Sequence, residues 1–201
     1  MPSHFFAYLA RLRLIRRWSL MQNTWPENVQ EHSFQVAILA HALAVIRQNI
    51  CGKEAQPERA AWLALFHDAS EVITGDLPTP VKYHDSQMRQ AYHDLESTAN
   101  QHLLDFLPAS FQTAYQDAFV PKNADLDSWE LVKAADKLAA WLKCREELKS
   151  GNPEFALAEA TLAKRLRELS LPEVDYFIDN FAPAFSLTLD ELTLPDSEGS
   201  G

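Results

Sequence analysis

Glycine is scarce in this 201-residue chain, at five residues, and cysteine scarcer still, at two. So little glycine, without any period, excludes collagen-like and low-complexity chains. Cys51 and Cys144 are too few for a disulfide framework or a Cys-based metal site. With no cleavable signal pattern at the start, a reducing cytoplasm is the expected home. Long apolar runs are missing too. The longest strictly apolar stretch, Ala60 to Phe66, has seven residues, against the roughly 18 needed to cross a bilayer, so no membrane span is expected. Alternation of apolar and polar residues is also absent, which leaves no strand to propose.

Positive charge is in short supply: 18 Lys and Arg face 28 Asp and Glu, for a net charge of −10. It is also unevenly placed. The first 26 residues hold Arg11, Arg13, Arg16 and Arg17 and no acid, which leaves −14 to the remainder. Such a surface repels duplex DNA, so no nucleic-acid polymer is expected as partner, while a small anion is still drawn to the basic end. An Arg-rich, acid-free amphipathic start is also how an organellar transit peptide reads, and that stands as a competing explanation.

What is present is 47% hydrophobic and 23% charged residues, near globular averages, with apolar positions recurring at helical spacing. The expected fold is all-α: a single domain over residues 1–190, a bundle of about six to eight helices, with a disordered tail over 191–201. The first helix is expected from Ser3, as N-cap, to about Arg17. Further helices are expected at 28–49, from Pro57 to just before Gly75, and at 84–107, 110–118, 128–150, 154–169 and 173–181. The run from Asp76 to Pro80, with two prolines, cannot continue a helix.

Several polar residues fall where these helices are apolar. His32 shares the stripe of Val36, Leu39 and Leu43, whereas His41 points away. On the third helix Ala60, Leu63, Ala64, His67 and Glu71 share a face with Asp68 at its edge. Two carboxylates therefore crowd together with no local cation; a bound divalent ion would resolve that repulsion, and an ordinary solvated helix end is the alternative reading. Asp136 borders the stripe of Leu131, Ala135, Leu138 and Leu142, where an unpaired charge is costly; Lys133 is one partner within reach and a metal the other. Two imidazoles and two carboxylates suit a first-row divalent ion with positions open to water, and not a closed Cys-type zinc site.

The series Glu31-His32-Ser33, His67-Asp68-Ala69-Ser70-Glu71 and Ala135-Asp136-Lys137 resembles the H…HD…D pattern of the HD-domain metal-dependent phosphohydrolases. Arg17-Trp18, the Asp76–Pro80 pentapeptide after Gly75, and Asp175-Tyr176-Phe177 narrow the resemblance to bacterial 5′-deoxynucleotidases. That resemblance implies that His32, His67, Asp68 and Asp136 bind one divalent metal, cobalt or manganese by preference, and that Glu71 is the catalytic acid/base. It also implies that Arg17 holds the phosphate, and that Trp18, His32, Asp76, Leu77, Pro78 and Thr79 contact a 2′-deoxyribonucleoside 5′-monophosphate. The family further implies a homodimer, for which Trp129, Trp141 and Phe185 are apolar candidates. Gln22 and Trp25 depart from the pattern at positions where the family commonly carries arginine. Two alternatives remain at this level: another HD phosphohydrolase acting on a phosphodiester or triphosphate, and a non-catalytic helical binding protein.

Overall fold

Asn28 opens the helix around which the molecule is arranged. Its side chain accepts a hydrogen bond from the Glu31 N–H at 3.0 Å, satisfying one of the donors that a helix start leaves free. Helix α2 then runs Val29–Asn49, with Val36, Leu39 and Leu43 fully buried along its inward face and His41 exposed. The computed structural model describes residues 2–82, 84–120 and 122–193, and every regular element among them is helical.

Ahead of α2, helix α1 (Phe5–Leu9) tightens into a 3-10 turn, Ala10–Leu14. After it come α3 (Pro57–Phe66), α4 (Glu71–Thr74), α5 (Thr79–Lys82), α6 (Ser86–Asp105) and α7 (Ala109–Phe119). The second half contributes α8 (Leu126–Lys149), α9 (Ala156–Glu168), α10 (Pro172–Asn180) and α11 (Leu189–Thr193). The main apolar cluster joins α2, α3 and α8 with Leu166 of α9 and Val174 and Phe177 of α10. A second gathers Phe5, Leu103, Leu104, Ala118 and Phe119, and Trp62 packs against both. No helix among the described residues is long and apolar enough to cross a membrane.

The first helix differs from expectation at both ends. His4 is the N-cap, and Ser3 Oγ instead donates to the Phe106 carbonyl at 2.6 Å. The chain becomes extended at Ile15 because tertiary backbone pairing takes over: Val29 N–H donates to Ile15 O and Arg17 N–H to Glu27 O, both at 3.0 Å. The Arg-rich start is part of the folded body, with Phe5 and Leu12 buried.

The third helix stops at Phe66 instead of reaching Gly75. Between 66 and 71 the chain tightens into i→i−3 bonds, Ala69 N–H to Phe66 O and Glu71 N–H to Asp68 O, each 3.0 Å. Gly75, at φ 73°, then ends α4 with its N–H on Glu71 O at 2.8 Å. Two short elements, α5 and α11, had no periodic signal. Residues 191–193 of the anticipated tail close α11, and 194–201 lie outside the described residues.

Candidate metal centre

His32 projects from the first turns of α2 into the interior, without exposed surface. Its Nε2 lies 3.1 Å from Asp136 Oδ1 on α8 and 3.6 Å from Asp68 Oδ2. His67 caps α3, and its Nδ1 is 2.7 Å from the Ala64 carbonyl. That separation fits Nδ1–H donating to the carbonyl, which leaves Nε2 as the free lone pair. This Nε2 faces Asp68 Oδ2 at 3.1 Å without hydrogen-bond alignment, and the two imidazole centroids are 5.4 Å apart. One ligand atom each from His32, His67 and Asp68 falls within 4.8 Å of the others. Asp136 adjoins this trio through His32; Lys133, its other candidate partner, is exposed.

Three buried polar atoms around this point have no hydrogen-bond partner: His32 Nδ1, His67 Nε2 and Glu71 Oε2. Each such atom costs about 1–3 kcal/mol. A cation at the trio would use His67 Nε2, and a histidine whose second nitrogen is tied to a backbone carbonyl is how metal-binding imidazoles are commonly oriented. The two-nitrogen, two-carboxylate donor set therefore fits a first-row divalent ion.

The electrostatics separate the two imidazoles. Burial, then the Arg17 charge, pushes the His32 imidazole below its ordinary value, so it stays neutral. Burial works against a charged His67, but the adjacent Asp68 carboxylate outweighs it and raises that imidazole to about 9, so without a cation Nε2 carries a proton towards Asp68, and a divalent ion bound there would displace that proton. Burial also opposes ionisation of Asp68 and Asp136, yet the facing histidines hold both low, Asp136 at about 2. Glu71 goes the other way. Burial first, then the charges of Asp68 and Asp76, pushes its carboxyl up to about 10. A divalent cation at the trio would reverse that repulsion and favour a charged Glu71.

The loop before α2 brings in the basic end. Arg17 is largely shielded, and although burial works against its charge, Glu27, Asp136, Asp68 and Asp76 outweigh it. Arg17 Nη1 and Trp18 Nε1 both donate to Glu27 Oε2, at 2.7 and 3.1 Å. Trp18 sits at φ 57°, in the left-handed region that a bulky residue enters only at a cost of order 1–3 kcal/mol. Its carbonyl accepts from Met21 N–H at 2.9 Å and Asn23 Nδ2 at 3.2 Å, and its ring centroid is 5.4 Å from that of buried Phe155.

Helix α8 fastens the same loop from a distant part of the chain. Buried Glu147 accepts from the N–H groups of Thr24 and Trp25 at 2.8 and 3.0 Å, and Lys143 donates to Glu147 at 2.6 Å and to the Trp25 carbonyl. Sequence reasoning missed Glu27, Lys143 and Glu147. The Lys143/Glu147 pair at i,i+4, just past the buried Ala139–Leu142 stretch of α8, was the one available signal. Gln22 and Trp25 hold the loop by backbone groups, and their side chains are exposed, so the departure from arginine falls on the outer surface.

The remaining site residues are less closely drawn in. Asp76 is within electrostatic reach of Arg17, Asp68 and His32, and burial raises its carboxyl pKa. Leu77 and Pro78 are half-buried apolar residues, and the Thr79 side chain lies outside what is described. Of the three residues suggested for self-association, Trp141 is core, with Nε1 donating to Glu159 at 2.7 Å; Trp129 is half-buried, and Phe185 is 49% exposed. The neighbouring apolar stripes of α8 and α9 account for the burial of Trp141.

Over residues 4–185 the chain matches the family described as YfbR-like 5′-deoxynucleotidase. A 5′-deoxynucleotidase of Cronobacter sakazakii is 51% identical over 191 residues, covering 95% of this chain and 96% of its own. One from Vibrio parahaemolyticus is 49% identical over 191 residues, covering 95% and 98%. Among solved structures, an HD-domain phosphohydrolase from Listeria innocua superposes with a TM-score of 0.78 at 24% identity, covering 92% of this chain and 90% of that one. A cyanophage S-2L HD phosphohydrolase, solved with dA and one catalytic Zn2+ ion, gives 0.63 at 20% identity, covering 88% and 95%. The structural likenesses establish the HD fold, and the sequence identities narrow it: this chain belongs to the YfbR-like 5′-deoxynucleotidase family of phosphoric monoester hydrolases.

Proposed function

We infer that the chain, acting as one HD domain, hydrolyses 2′-deoxyribonucleoside 5′-monophosphates to deoxynucleoside and inorganic phosphate. The observation that carries this reading is the meeting of His32, His67 and Asp68 ligand atoms within 4.8 Å, with the Asp68 charge acting on the buried Glu71 carboxyl. In this reading His32, His67, Asp68 and Asp136 hold one divalent ion, cobalt or manganese by preference; the structural neighbour with a catalytic Zn2+ supports a divalent ion of this class. When bound, the ion supplies Lewis acidity to the phosphoryl oxygens and to the attacking water.

The chain's own residues do the rest. Glu71 takes a proton from the attacking water and returns one to the leaving 5′-oxygen, so that water adds to phosphorus as the P–O5′ bond breaks. Its unpartnered Oε2 is the atom suited to that exchange. Arg17 binds the phosphate through the fork of its guanidinium. Trp18 forms the wall against a 2′-hydroxyl, and Asp76, Leu77, Pro78 and Thr79 complete the nucleotide pocket beside His32. The free thiols Cys51 and Cys144 fit a cytoplasmic home, and the family supports a homodimer.

Phosphate release from dAMP and AMP, with and without added cobalt, tests the reading. Cobalt-dependent release with dAMP strongly preferred is the expected result. Equal rates on both nucleotides, or preferential cleavage of di- or triphosphates in the same assay, would overturn it.

A further inference from the structure

We propose that Glu27 is the positioning residue that couples phosphate binding to sugar discrimination, by holding Arg17 and Trp18 through one carboxylate oxygen. The proposal rests on the roles given above to Arg17 and Trp18.

The geometry is specific. Glu27 Oε2 accepts from Arg17 Nη1 at 2.7 Å and from Trp18 Nε1 at 3.1 Å, while the Glu27 carbonyl accepts the Arg17 N–H at 3.0 Å. Both side chains of the ion pair are shielded, at 13% and 16% exposure, so this contact is stronger than an ordinary surface pair. Four carboxylates act on the Arg17 charge, and among the described residues Glu27 is the one that bonds it directly. A guanidinium has five donors. Pinning one of them on Glu27 fixes the plane of the fork and leaves the others for an anion.

Trp18 needs support of a different kind. Its left-handed backbone persists only because neighbours over-determine it. Met21 and Asn23 hold its carbonyl, and Phe155 lies against one side of the ring. The bond to Glu27 is the only hydrogen bond to the indole among the described residues, and it sets the tilt of the wall. A carboxylate suits both tasks, since one oxygen accepts two donors and its charge matches the guanidinium.

The test compares Glu27→Ala and Glu27→Gln with Arg17→Ala, Trp18→Ala and the corresponding double variants. The readouts are kcat/KM for dAMP and AMP, and Kd for both nucleotides on a Glu71→Gln background. Glu27→Ala should lower both kcat/KM for dAMP and the dAMP-to-AMP ratio, each about tenfold, with no further fall in the ratio when Trp18→Ala is added. Glu27→Gln keeps an oxygen for the indole but loses the charge. Its ratio should stay within about twofold of the parent while kcat/KM falls for both nucleotides together. A purely structural role would not separate the two variants in this way. Parental behaviour of Glu27→Ala, while Arg17→Ala and Trp18→Ala each shift their own readout, would overturn the proposal alone. Parental behaviour of Arg17→Ala and Trp18→Ala would overturn the site reading and this proposal together.

Discussion

His32 and Asp136 stand 104 positions apart in the chain and 3.1 Å apart in space, Nε2 to Oδ1. Each interrupts an apolar stripe, and together they close α2 onto α8 beside the His67–Asp68 pair. Phosphate monoesters hydrolyse so slowly without catalysis that loss of the ion should abolish turnover. Asp68→Asn and His67→Ala are therefore expected to release phosphate at least about a thousandfold more slowly than the parent. Metal analysis of the purified variants should show bound ion falling from near one per chain to near none, with helical circular dichroism retained.

Trp18→Ala should narrow the preference for dAMP over AMP about tenfold, because rejecting an added hydroxyl requires a wall that leaves it neither room nor partner. Steady-state kcat/KM on the two nucleotides measures this. An unchanged ratio would remove Trp18 from the role.

Acid should loosen the loop through Glu147. Burial raises the pKa of that carboxyl, but Lys143, the N–H groups of Trp25 and Thr24, and Asn152 bring it down to about 2 from an ordinary 4.5. A carboxyl depressed by folding adds stability above its unfolded value and loses it as pH falls toward the folded one. The contribution is about 3 kcal/mol at neutral pH, lost between about 4.5 and 2. Urea unfolding at a series of pH values should show a shallower loss over that window in Glu147→Gln than in the parent.

Arg47 ties α10 to α2. It bonds Glu173, which has no exposed surface, and also the half-exposed Glu130. Arg47→Met strands the Glu173 carboxylate in the interior and should cost about 3–5 kcal/mol, whereas Glu130→Gln should cost under about 1. Adding Glu173→Leu to Arg47→Met should recover most of the loss in urea midpoint, since a matched apolar pair leaves no buried charge unpaired.

Several helices were legible because a start signal precedes their apolar period, whereas α8, the longest, has no side-chain cap and begins at Leu126, two residues before its expected start. Asn28 caps α2, Asp85 caps α6, and Pro57 and Pro172 open α3 and α10. The inward direction of His32 and the outward one of His41 followed from 100° per residue, and the structure has them so. The end of α3 was not legible. Nothing local forbids a helix through His67 and Asp68: neither glycine nor proline stands between 66 and 71, yet the chain tightens there into i→i−3 bonds. Likewise the loop from 15 to 28 has no period of its own. Its shape comes from Glu27 and from Glu147 and Lys143, contacts whose partners lie up to 123 positions away.

The early end of α3 has one last consequence. The group that orients the His67 ring is the Ala64 carbonyl, a main-chain atom that every amino acid carries. A saturation scan would therefore leave this support silent, registering only steric trouble at position 64. An ester in place of the amide between Ala64 and Leu65 weakens that carbonyl as an acceptor while keeping both side chains, and is the kind of change that would expose it.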